Sequence, residues 1–199
     1  MTRNLEWLGS EEELHKLMDQ ANGKLVDKND WHVMTKDKEK FYDANEFLKD
    51  ADYYYNLIPQ NLIQTSAKLW LASVYTVKKF YLQIKIHAVS HRSLKFLMKL
   101  AVRKCPNAEM ASDLTESWIY AEQFHQYTCG SKNFKPKEFG SRKIAVEYFV
   151  REFPSIEKSA VLKEALKLVD CSDENIKLKS DPGETSLGKE KYSFDYKAY

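Results

Sequence analysis

The chain has 199 residues and a mass of 23.3 kDa, long enough to bury one sizeable core and too short to suggest several large domains. Hydrophobic residues at 43% and charged residues at 30% exclude a collagen-like or wholly disordered chain, and Gly 6 with Pro 5 disfavours strand-rich architectures that need many tight turns. The formal net charge of +2 hides an asymmetry: residues 53 to 108 hold nine Lys and Arg and no Asp or Glu, while the rest of the chain carries 22 cations and 29 anions.

Met1 to Gly23 is amphipathic and acidic in its middle, which does not fit a secretory leader. Ser10 and Glu13 have the spacing of a capping box, so a short helix is predicted over 11 to 20, inside an N-terminal extension of residues 1 to 38. Lys24 to Lys38 has no firm period. From Lys40 to Asn56, Ala44, Leu48, Ala51 and Tyr55 form one apolar helical face, and Pro59 resets the chain. Ile63, Ala67, Trp70, Val74, Val77, Tyr81 and Ile84 then step by 4, 3, 4, 3, 4 and 3, which predicts a long core helix over 61 to 86. Ser90 is the expected N-cap of a helix over 91 to 104, with Leu94, Leu97, Met98 and Ala101 buried. Asn107 caps a helix that runs to Thr128, with Trp118 and His125 on its seam and Gly130 beyond its end. Residues 140 to 152 and 156 to 169 read as two further helices, the second capped by Ser155.

Cys171 to Tyr199 contains five Lys, six acids, few aliphatic residues and a Pro-Gly pair, and is expected to be a flexible tail. The fold class predicted is thus all-α: an antiparallel helical bundle over residues 39 to 170, flanked by the N-terminal extension and the tail. No run of 18 apolar residues occurs, so no membrane partner is expected. The odd, widely spaced cysteines 105, 129 and 171 and the absence of Asn-x-Ser/Thr predict a cytoplasmic or nuclear protein.

The candidate binding residues lie in the acid-free segment. Arg92, Lys95, Lys99 and Arg103 step by 3, 4 and 4 along one helix face, and Lys78 and Lys85 extend the stripe from the preceding helix. Such a stripe neutralises successive phosphates. The alternative is that acidic helices of the same chain, or an acidic partner protein, cancel it. His87 and His91 are four apart, but Ser90 breaks the helix between them and no third ligand is evident, so no metal is expected. Gly-rich phosphate loops, GxSxG and HExxH are absent, so neither a cofactor nor a catalytic residue is assigned. His125 on an apolar seam reads as a core histidine or as the lining of a groove beside Lys68 and His91.

The blocks Gln64-Thr65-Ser66-Ala67-Lys68-Leu69-Trp70-Leu71-Ala72, Val77-Lys78, Ser90-His91-Arg92 and Trp118-Ile119-Tyr120-Ala121-Glu122-Gln123-Phe124-His125 resemble the PaREP family, small helical proteins best known from archaea and placed among the HEPN-like domains. The likeness spans roughly residues 42 to 152. It implies an antiparallel bundle, homodimerisation and association with nucleotides or RNA. Catalytic relatives of that kind carry an Arg four to six residues before a His. No histidine here has one, so the resemblance implies a non-catalytic member, with a divergent nuclease using His125 as base the lesser alternative. The family-like positions are Lys68, Trp70, Lys78, His91, Trp118 and His125.

Overall fold

Residues 43–169 and 178–199 are described in the computed structural model. The expected helix over 11 to 20, the rest of the N-terminal extension and Cys171 lie outside them. Asp43 accepts the Glu46 N–H at 2.9 Å and starts helix α1, Ala44–Tyr55. The turn through Pro59 leads to α2, Leu62–Gln83, whose first turn is capped by Asn61 accepting from the Gln64 N–H at 3.1 Å. This helix is buried on several sides, and its buried hydroxyls are not orphaned. Those of Thr65, Ser66, Ser73 and Thr76 each donate to the carbonyl four residues earlier.

The long helix ends earlier than its period suggests. Lys85 adopts φ 65°, and the chain then runs extended through β1, Ile86–Ala88. Ser90 forms the expected cap of α3, His91–Val102, accepting the Ser93 N–H at 3.0 Å. Asn107 does the same for α4, Ala108–Thr128, accepting from Met110 at 2.8 Å. Helix α5, Pro136–Glu152, starts four residues before its predicted position because Pro136 occupies its first turn, where a missing N–H costs nothing. A 3-10 turn, Phe153–Ser155, and the short α6, Lys158–Leu166, complete the helical part; Glu157 rather than Ser155 caps α6.

The C-terminal segment corrects the fold class. Residues 178–199 form a β-hairpin instead of a flexible tail: β2, Leu178–Leu187, pairs antiparallel with β3, Glu190–Ala198. Gly188, at φ 62°, opens the two-residue loop between them, a position that needs the left-handed backbone. Strand β3 also pairs in parallel with β1, giving a mixed sheet of order β1-β3-β2. The protein is therefore mostly helical but not all-α.

The sheet is part of the main core. Ile86, Ala88, Leu178 and Ala198 join the same buried cluster as Leu69, Val77, Leu97 and Phe149, so the hairpin covers apolar surface that the helices leave open. Phe194 is buried apart from that cluster, beneath Gly183 and beside His87 and Lys197. Tyr81 ties α2 to α3, its buried hydroxyl donating to the Leu97 carbonyl at 2.6 Å.

Candidate functional site

Strand β1 carries the chain back along α2, so the first turn of α3 arrives beside the middle of that helix. There His91 stacks on Trp70 at 4.9 Å between ring centroids and 26° between planes. His125, from the last turn of α4, stacks on the same indole at 5.1 Å and 22°. The two imidazoles are 5.9 Å apart, too close for rings on opposite faces, so both lie on one side of Trp70. Trp70 is 8% exposed and Trp118, 5.5 Å from it, 1%, so both indoles are core residues, as their seam positions predict. His91 is exposed and His125 half-buried, and neither imidazole hydrogen-bonds to another described residue.

Next to this stack is a cleft of about 190 Å³ lined by Trp70, Val74, Lys78, Ser90, His91 and Leu94. Among the described residues Lys78 is its one cationic wall. Its ammonium is 5.9 Å from the Tyr75 ring centroid, and no carboxylate among the described residues comes within ion-pair distance. Burial pushes its pKa down, because the charged form has lost water without gaining a counter-ion. His87, one strand away, is depressed first by burial and then by the charges of Lys78 and Lys197. Its buried Nδ1 has no hydrogen-bond partner among the described residues.

The remaining predicted residues divide by environment. Lys68 pairs with Asp50 at 3.2 Å and stands over the Phe47 ring, so it is engaged inside the bundle rather than in the cleft. Lys85 docks the hairpin: its Nζ donates to Ser193 Oγ at 2.5 Å, and its carbonyl accepts from Asp195 and Tyr196. On α3, Lys95 is bonded to Glu122 of α4 at 2.9 Å, while Arg92 and Lys99 are exposed. Arg103 lines a second groove, of about 550 Å³, with Glu116 and Ile119. At 1.5 Å per residue it lies about 18 Å along the helix from His91. Within the stripe Lys95 has an acidic partner, and Lys78 faces a separate cleft.

Ser90 and Trp70 enter the site as walls, roles that a cap residue and a core seam do not announce in sequence. His87, considered in sequence for a metal, lies in β1 while His91 opens α3, so the pair does not share a helical turn. No helix among the described residues is long and apolar enough to cross a membrane. In comparisons with known proteins, the chain matches no family model, no curated protein and no solved structure.

Proposed function

We propose that the chain is a non-catalytic binding module for RNA or a nucleotide, engaging ligand phosphate at the Lys78 cleft. The observation that carries this reading is the half-buried Lys78 ammonium without a carboxylate partner among the described residues. A cation held this way costs free energy until an anion joins it, and a phosphate is the anion a basic, acid-free segment recruits. The exposed imidazole of His91, supported by Trp70, offers a face for a base to stack on. The HEPN-like resemblance read in the sequence over residues 42 to 152, if it holds, implies the same association.

The test is fluorescence anisotropy of a short single-stranded RNA with wild type and Lys78→Met, at low and moderate salt. A charge-assisted contact of about 1.5–3 kcal/mol predicts that the variant binds roughly 10- to 100-fold more weakly. Because removing a partly desolvated charge does not damage the fold, its thermal midpoint should not fall. Unchanged affinity in a folded variant would overturn the reading.

A second reading is docking of an acidic protein surface, or of a second copy in a homodimer. One observation favours it: the groove at the end of α3 presents Arg103 beside Ile119, an isoleucine 45% exposed. Sedimentation velocity together with Ile119→Glu would decide it, with loss of an oligomer in the variant as the supporting result.

A further inference from the structure

The cleft is small and holds one lysine among the described residues that line it, and both properties restrict the ligand further. This inference rests on the phosphate-binding reading. At about 190 Å³ the cleft falls below the range that encloses a whole nucleotide-sized ligand, so it takes one group while the rest of the ligand lies outside. A strand bound along its length needs cations at successive phosphates. Among the described residues the cleft lining offers no second lysine or arginine; Arg92, next to His91, is exposed on α3 and does not line it, and other cations near it on the chain are engaged elsewhere. Lys95 is bonded to Glu122, Lys68 to Asp50 and Lys79 to Glu190, and Arg103 shares its groove with Glu116.

We infer that the cleft recognises a terminal phosphomonoester, either the end of an unpaired strand or a free mononucleotide, rather than internal phosphodiesters. A terminal phosphate carries up to two charges and leaves the chain on one side only, which suits a short cleft with a single ammonium. The adjoining nucleoside then has the exposed His91 ring to stack against, outside the cleft. A duplex end is disfavoured, because its terminal base is already stacked and paired.

The experiment compares one tetraadenylate in three forms, with a 5′-phosphate, with a 3′-phosphate and with neither, together with AMP and a longer adenylate lacking terminal phosphates. Binding is measured by competition against a labelled phosphorylated strand. The expected result is at least about a tenfold preference for a phosphorylated end over the strand with neither. AMP should compete within a few-fold of the phosphorylated tetramer, and length should have little effect. Lys78→Gln should erase the preference while circular dichroism stays unchanged. His91→Ala should weaken the phosphorylated forms by about tenfold through lost stacking. Equal affinity for phosphorylated and unphosphorylated ends, rising with length, would overturn the inference and leave RNA binding standing. Binding of none of the five probes would overturn both.

Discussion

His87 joins the sheet to the cleft, and its environment makes a pH-dependent prediction. Its pKa is held below the ordinary imidazole value by burial and by the charges of Lys78 and Lys197, so the folded protein binds fewer protons there than the unfolded chain does. Stability from this site is therefore complete above the unfolded imidazole pKa and is lost as pH falls through the folded one. Urea unfolding of wild type should show decreasing stability from about pH 7 towards pH 5, and His87→Gln should flatten that acid limb. An unchanged limb in the variant would mean that other groups control acid stability. Lys85 shows a second effect at this scale. A non-glycine residue at φ 65° is strained, yet here its carbonyl receives two N–H donors from β3. Its charge, which in sequence extends the phosphate stripe, serves instead to seat the hairpin.

Among the elements, the hairpin decides how well the cleft is formed. Strand β3 pairs with β1, and the Ala198 carbonyl accepts the Val89 N–H at 3.1 Å, immediately before the Ser90 and His91 walls. Phe194 holds the outer face of this sheet and is 4% exposed. Phe194→Ala should cost about 3 kcal/mol in denaturant unfolding, the lower end for a buried aromatic, since the residue lies outside the main core cluster. It should also weaken ligand binding, because β1 leads directly into the cleft. Gly183→Ala should destabilise by the same route: a Cβ there would stand 2.8 Å from the Phe194 ring. The bulge between Ser180 and Gly183 brings that glycine under the ring.

At the scale of the molecule, four of the nine cations of the basic segment, Lys68, Lys79, Lys95 and Lys104, meet carboxylates from the acidic remainder. Lys104 meets Glu164 of α6 at 3.0 Å, Lys79 meets Glu190 of the hairpin at 3.1 Å, and Lys95 meets Glu122. The triple variant Arg92→Glu/Lys95→Glu/Lys99→Glu consequently tests field against contact. None of the three is among the described residues that line the cleft, and salt weakens the field of exposed charges, so it should lower affinity at the cleft by only a few-fold, far less than Lys78→Met. Its stability should fall by about 1 kcal/mol, chiefly because the carboxylate introduced in place of Lys95 would face Glu122. A collapse of binding larger than that of Lys78→Met would locate the ligand on α3 instead.

The helices are legible in the amino-acid sequence because each is specified locally. The step-3-and-4 seams that bury Trp70 and Trp118, the caps at Ser90 and Asn107, and the break at Pro59 all act within a few residues. The hairpin has a signal too, since Tyr192, Phe194, Tyr196 and Ala198 alternate with Ser193, Asp195 and Lys197 in the period of a strand, and Gly188 marks its turn. Polar composition outweighs that signal, and the strand's partner β1 is three residues of a segment that continues a helical period. Which lysines have counter-ions depends on tertiary structure. Charge spacing along one helix places cations on a face, but the carboxylates that answer Lys95, Lys79 and Lys68 come from α4, β3 and α1. The cleft that leaves Lys78 without one among the described residues exists because β1 folds α3 back against α2, a non-local event that no window of sequence contains.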